Sequence, residues 1–292
     1  GKLLKDILDM QHEQLAVLVS GAPEYSEGKL LGVPVLVDSK GQTQANATLD
    51  LLEAWDLSNN VVALVFDTTA SNSGIHNGAA KLIEENLGRK LLYLACRHHI
   101  FETFVGACWK KLFGNIFGPE NKFFAEFKTA WPALDKQLPI ETLAVEGTWL
   151  QNLKEQTIQH LTHLLANEDA TTFPRDDYRE CAENTLIIFG QIPPRGVHFL
   201  KPGAIHQARW MACNIYANKM FMFSKQLPYD QRMTTKLFRM NRYLSLFHTP
   251  AWTKASIGAD APMNDLQFIH AMMDYKEIDK EVADVILSKI TN

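Results

Sequence analysis

Residues 61–74 read VVALVFDTTASNSG, and residues 91–102 read LLYLACRHHIFE. In the first stretch six apolar residues run into Asp67 and give way at once to small hydroxyl and amide side chains. A continuous apolar run of that length predicts a strand covered on both faces, over 60–66. The second stretch predicts another, over 90–96, that ends in Cys96, Arg97, His98 and His99. Between them IHNGAAKLIEENLG (75–88) has helical spacing and a closing Gly88 suited to the C′ position.

Upstream, QLAVLVS (14–20) and KLLGVPVLV (29–37) are rich in β-branched residues and separated by GAPEYSEG, a hairpin-like connection. QTQANATLDLLEAWDL (42–57) then places Leu49, Leu52 and Trp55 at helical spacing, and HIFETFVGACWKKLF (99–113) reads as a further helix. The order is strand, strand, helix, strand, helix, strand, helix. It predicts one mixed sheet with helices on its faces, an α/β domain over 1–117. After GNIFGPEN the character changes: Phe, Trp and Leu recur at helical intervals, and FPRDD, PPRG, KPG, LPYD and HTPAW break the helices. Residues 118–292 are therefore expected to form a large helical domain or insertion.

The 292 residues are 46% hydrophobic, enough for one large core or two modest ones. No stretch reaches the roughly 20 apolar residues of a membrane helix, and no leader pattern opens the chain, so no membrane partner is expected and an intracellular location is. Four cysteines without framework spacing agree with a reducing compartment. A net charge of −4 argues against a surface that is wholly a polyanion-binding patch. Basic residues gather in WKKLF (109–113) and KLFRMNRY (236–243), where a solvated helix face is the expectation.

Asp67 occupies the carboxyl end of a predicted strand, where functional groups of open α/β sheets collect. The competing role for Asp67, Thr68, Thr69, Ser71 and Asn72 is to bond a turn and cap the next helix. A phosphate-cradling loop is poorly supported, because Gly74 stands alone and no Gly-Lys-Ser/Thr ending follows. Nor does a second aspartate follow two residues on, as in haloacid-dehalogenase-like phosphatases. Cys96 and His99 have C-x-x-H spacing, two of the four ligands a structural zinc needs, and no second pair exists; His160 and His163 lie in the other half. Packing and hydrogen bonding at the strand end are the expected roles of Cys96 and His99. Glu102 sits one helical turn past His98. Carboxylates at neighbouring strand and helix ends, Asp67 and Glu102, can share a divalent metal. Alone, Glu102 would be an acid favoured in a first helical turn.

In this order and setting the residues resemble the ribonuclease H-like catalytic core of DNA transposases, and above all the hAT superfamily and its domesticated relatives. The family's strand-closing aspartate with an Asn-containing stretch falls on Asp67 and TTASN, and its C-x-x-H motif on Cys96 and His99. Its Arg-Trp pair falls on Arg209 and Trp210 in QARWMA. The resemblance covers residues 10–115 well and the helical half loosely. It implies a ribonuclease H-like mixed sheet, Mg²⁺ or Mn²⁺ at Asp67 and a second acid, DNA as partner of the full-length protein, nuclear location, and cleavage or strand transfer. Homo-oligomer formation is left open. The family's first aspartate would coincide with GKLLKDI or precede Gly1, where Asp6 and Asp9 are poor substitutes, and the start at Gly1 suggests a trimmed chain. No C-terminal stretch matches the setting of its last glutamate. Glu102 instead fits the compact arrangement of mariner-like transposases and retroviral integrases.

Two function classes follow: a metal-dependent nuclease or strand-transferase, and a noncatalytic DNA- or protein-interaction module that keeps the fold. A small-molecule phosphotransfer enzyme or hydrolase, with a nucleotide at 67–74, is a third. In the helical half, His206, Arg209 and Cys213 would share one stripe of a helix over 205–223, with Trp210 in the core and Arg209 reaching toward the sheet domain.

Overall fold

The computed structural model describes residues 2–5, 11–114, 121–166, 173, 175–203, 211–256 and 258–291. The chain divides into two compact units, Gly1–Ile100 and Phe101–Asn292.

In the first unit β1 (Lys2–Lys5) runs antiparallel to β2 (Gln11–Gln14), which also pairs with the two-residue β5 (Val35–Leu36). A separate hairpin joins β3 (Val17–Gly21) to β4 (Tyr25–Gly32). Helix α1 (Gly41–Ala54) follows, then β6 (Ala63–Phe66), the single turn α2 (Ala70–Ser73), α3 (Ala79–Asn86) and β7 (Leu92–Ala95). Strands β6 and β7 are parallel, from Ala63 opposite Leu92 to Phe66 opposite Ala95. A parallel pair needs a crossover, and α2 and α3 supply it. Helix α3 ends as its sequence predicts. Gly88 lies beyond the last turn with φ +64 and donates its N–H to Glu85 O at 3.2 Å, a left-handed position that glycine occupies without steric penalty.

Helix α1 packs in two directions. Ala45 and Leu49 meet Ala79, Ile83, Leu91 and Leu64, while Leu52 and Leu51 meet Val17 and Leu31 of the hairpin. Full burial of side chains such as Leu52 and Ile83 stabilises by about 1.5–3 kcal/mol each. The start of α1 lies so close to the α2–α3 connection that a Cβ on Gly41 would stand 2.1 Å from Asn77 O, so only glycine fits there.

Mixed α/β character is as expected, but the strands form three small sheets and not one. Nor are β6 and β7 covered on both faces. Helices α1 and α3 cover the Leu64 side, whereas Val65 is 79% exposed, with Leu92 and Leu94 beside it also exposed. The apolar run reported two hydrophobic faces correctly, but the described residues supply a cover for one. Likewise α1 stops at Ala54, and Trp55, expected on its core stripe, is 40% exposed.

The second unit holds most of α4 (Arg97–Phe113), then α5 (Lys122–Ala130), α6 (Thr148–Ala166), α7 (Asp176–Ile188), α8 (Met211–Met222), α9 (Gln231–Tyr243), α10 (Thr249–Lys254) and α11 (Ala261–Thr291). A π-helical stretch, Leu244–His248, links α9 to α10. Among the described residues no strand follows Ala95, as the spacing of apolar residues predicts. Aromatic contacts join the helices: Trp109 to Phe124 at 4.6 Å, Phe124 to Tyr216 at 5.0 Å, and Trp131 to Phe223 at 5.4 Å between ring centres. Lys219, 1% exposed, is neutralised by Glu180 and donates to Leu200 O at 2.7 Å. The basic KLFRMNRY stretch is not a solvated face. Arg239 forks onto both oxygens of Asp279 at 2.8 and 2.6 Å, and Arg242 donates to the Tyr275 hydroxyl at 2.9 Å and to Asp279 at 3.3 Å. Asp279 has non-helical φ/ψ of −144° and 76°, which breaks α11 into two helical runs.

One side chain ties the entry of β6 to that of β7. The Arg89 guanidinium donates to Asn59 O at 2.8 Å and to Ser58 O and Val61 O at 2.7 Å each. Arg89→Ala is expected to lower the stability of the first unit by about 1–2 kcal/mol in chemical denaturation, as three charge-assisted but partly exposed bonds are lost. Arg89→Lys should recover little of it, because one ammonium cannot reproduce the fork.

Candidate functional site

Strand β6 ends at Phe66, whose carbonyl accepts from Cys96 N at 2.8 Å, so the ladder carries on one step past the strands. Asp67 and Cys96 therefore leave adjoining parallel strands at the same edge, the carboxyl edge where ligands of α/β sheets bind. The two motif-bearing stretches of the sequence meet there.

Asp67 is half-buried, and its two oxygens have different roles. Oδ1 accepts from Thr69 N at 2.9 Å, Thr69 Oγ1 at 2.6 Å and Asn72 Nδ2 at 2.8 Å. This is the turn-bonding role that small polar residues after Asp67 permit. Ser73 Oγ adds a bond to Thr69 O at 2.9 Å, so α2 is held by side chains as much as by its own backbone. Oδ2 makes no hydrogen bond to the described residues. Burial pushes the Asp67 carboxyl up, but the Thr69 hydroxyl and amide, Asn72 and the charge of His99 together outweigh it and hold the group below its ordinary value of 3.8. The carboxylate is ionised at neutral pH. The Thr68 hydroxyl beside it is buried and has no partner among the described residues.

Cys96 is a free, half-buried thiol. His99, on the first turn of α4, acts on Asp67 through its charge. Glu102 belongs to the second unit. Burial drives its carboxyl up to about 7, against the Trp252 indole and the Arg175 charge, while Asp177 adds to the rise. The groups that act on Glu102 are thus Trp252, Arg175 and Asp177, and those that act on Asp67 are Thr69, Asn72 and His99. Arg209 and Trp210, with the rest of 204–210, lie outside the described residues. Among the described residues no three His, Cys, Asp or Glu side chains converge as metal ligands would.

A divalent ion of the Mg²⁺ kind takes hard oxygen donors. Asp67 Oδ2, held ionised, is one such donor, and the next residue in the chain, Thr68, carries a buried hydroxyl with no partner among the described residues. The fit is partial. Oδ1 is not free of turn-forming bonds, as an undivided metal ligand would be, and one carboxylate is half of a paired-acid site.

Sequence reasoning missed a groove of about 840 Å³ bounded by β3, β6, α1 and α3. Asn72, the donor to Asp67 Oδ1, lies on its wall. Hydrophobic periodicity reports which faces are apolar but not which strand edges stay unpaired, so nothing in the residue pattern marks it.

Asp67→Ala is expected to destabilise the protein by about 1–2 kcal/mol at pH 7, because Thr69 N and Asn72 lose their acceptor. Asp67→Asn keeps an acceptor and should cost less. The folded carboxyl titrates below its unfolded counterpart, so this stabilisation is complete above pH 3.8 and disappears as pH falls through the lower folded value; denaturation midpoints of wild type and Asp67→Ala should converge there. Glu102 has the opposite sign. Its folded carboxyl is raised from 4.5 to about 7, so stability present below pH 4.5 declines as pH rises toward 7. Glu102→Gln should raise the melting temperature at pH 8 and change it little at pH 4.

Comparison with family models, curated proteins and solved structures returned no match to this chain.

Proposed function

We propose that this chain is a DNA-processing domain of transposase descent, with a ribonuclease H-like core of the hAT kind and Asp67 as one acid of its metal site. The observation that carries the reading is the parallel pairing of β6 with β7. It brings the FDTTASN and CRHH ends to one sheet edge, where His99 acts on Asp67. Two motifs distant in sequence, whose resemblance to the family rests on their order, are thereby neighbours in space. Asp67 Oδ2 is the oxygen available to a cation, and a second acid would complete the pair. Divalent metal in such a site activates water or a 3′-hydroxyl and stabilises in-line displacement at phosphorus. What this chain's residues contribute is a fixed carboxylate. Thr69 and Asn72 set the rotamer of Asp67, and the charge of His99 helps keep it ionised. DNA as the partner and a nuclear location belong to the same reading.

A second reading has its own observation. Oδ1 is committed to three hydrogen bonds that build the α2 turn, which is what a structural aspartate does. On that basis the fold persists as a noncatalytic module for binding DNA or protein.

Calorimetric titration of Mn²⁺ into wild type and Asp67→Asn separates the two. The metal-site reading expects weak, saturable heat from wild type that is absent from Asp67→Asn, with little or no cleavage of duplex DNA by the chain as it stands, since one carboxylate holds metal loosely. Equal heats from both proteins would leave the noncatalytic module.

A further inference from the structure

We propose that the interior of the helical unit holds one ordered water molecule, bound between Asn214 and Asn218 of α8 and Ser245 of the π-helical stretch. The inference concerns the second unit alone, and neither outcome of the Mn²⁺ titration bears on it.

Its basis is a polar seam whose bonds leave a remainder. Asn214, Asn218, Asn241 and Ser245 are fully buried, and Thr249 nearly so. Asn241 Nδ2 donates to Ala217 O at 3.0 Å and to Leu237 O at 2.8 Å, so its amide oxygen is the atom left to meet Asn218. Asn218 must then present its nitrogen, and Nδ2 donates to Asn241 Oδ1 at 2.8 Å. At the other end Asn214 Nδ2 donates to Thr249 Oγ1 at 3.2 Å and lies 3.4 Å from His248 Nδ1. Asn214 Oδ1, Asn218 Oδ1 and Ser245 Oγ remain without a partner among the described residues.

Helix geometry brings these three atoms to one place. Asn218 meets Asn241 and Asn214 meets Thr249, so α8 runs antiparallel to the α9–α10 run. Four residues carry an α-helix about 40° past a full turn. The wider π turn at Leu244–His248 carries it back, so Asn241, Ser245 and Thr249 stand in one line facing α8. Ser245 is the middle of that line, opposite the interval between Asn214 and Asn218. The bonded partners stand four residues apart on α8 and eight apart on the facing run, so with both end bonds made the middle stays open. Ala217, beside that interval, fills it with no more than a methyl group.

The chemistry of the seam selects the occupant. Two amide oxygens and one hydroxyl face the interval. If Ser245 turned its proton onto one amide oxygen, the other would stay unmatched, which is unfavourable in a buried site. Water has two protons to give and lone pairs to receive one. It donates to Asn214 Oδ1 and Asn218 Oδ1 and accepts from Ser245 Oγ, three bonds, the ordinary complement of an internal water. A metal cation fits less well, because Asn214, Asn218, Asn241, Ser245 and Thr249 bring no negative charge to balance it.

A high-resolution crystal structure of the full chain, with oxygen-17 relaxation dispersion to count long-lived internal waters in solution, tests this. The structure is expected to show one water within about 3.2 Å of Asn214 Oδ1, Asn218 Oδ1 and Ser245 Oγ. Asparagine exceeds serine by roughly the volume of one water, about 30 Å³, and its amide nitrogen carries two protons. Ser245→Asn should therefore expel the water, lower the count by one and keep the melting temperature near that of wild type. Ser245→Val should lower the count by one as well, but lower the melting temperature by about 2–6 °C, since both amide oxygens lose their donor. If the valine variant does not fold, wild type and Ser245→Asn still decide. A dry seam in the wild-type structure, or a count unchanged in Ser245→Asn, would overturn the proposal. So would a protein side chain at that place, or a cation, recognised by oxygen distances of about 2.4 Å.

Discussion

A parallel ladder of four residues cannot stand alone in water, and the arrangement of the first unit follows from that constraint. Parallel sheets lie in protein interiors because their crossovers place helices on their faces. Here the crossover delivers α3, and α1 joins it to bury the Leu64 side. Because α1 is also the support of the β3–β4 hairpin, through Leu52, it fixes how far the hairpin stands from β6. The glycine that opens α1 meets the α2–α3 connection at backbone distance, so the helix that supports the sheets also braces the turn after Asp67. Ladder, hairpin and candidate site are three consequences of where α1 is held.

The helical unit solves a different problem. It buries charge and neutralises it internally: Lys219 with Glu180, Glu183 with Arg195 at 2.8 Å and Arg179 at 3.2 Å, Asp279 with Arg239 and Arg242. Such pairs add less stability than equally packed apolar side chains, but losing one member leaves a buried charge unmatched. They therefore select one packing of the helices over near alternatives in which the partners would miss one another.

How much of this was legible in the sequence depends on whether the signal is local. The Gly88 helix stop, helices in the regions of α1 and α3, the strand end at Phe66, the second strand to within a residue of its end at Ala95 and the strand-free character beyond are all set by nearest neighbours, and residue spacing reports them. Turn-forming by Thr69 and Asn72 was likewise legible from residue type. The sheet count was not. Valine and leucine runs state that a strand has two apolar faces, but pairing across β3 and β6 depends on groups distant in sequence, and the run at 61–66 reads the same whether its outer edge is paired or open. Glu102 shows a similar limit. The spacing places it in a first helical turn, whereas α4 already begins at Arg97, so Glu102 falls in the second turn and is half-buried, and burial raises its carboxyl to about 7.

The break at Asp279 changes how α11 is to be pictured mechanically. An unbroken helix of 31 residues passes strain along its whole length. Asp279 Oδ1 instead accepts from Val282 N at 3.3 Å, beginning a new helix there, while Arg239 and Arg242 hold the same carboxylate from α9. The joint is thus anchored in the body of the unit and not along the helix axis. Beyond the joint, Val282, Ala283 and Ile286 are fully buried, so the C-terminal run is held by its own side-chain packing and its direction is set by the pinned carboxylate, independently of the helical run that precedes it.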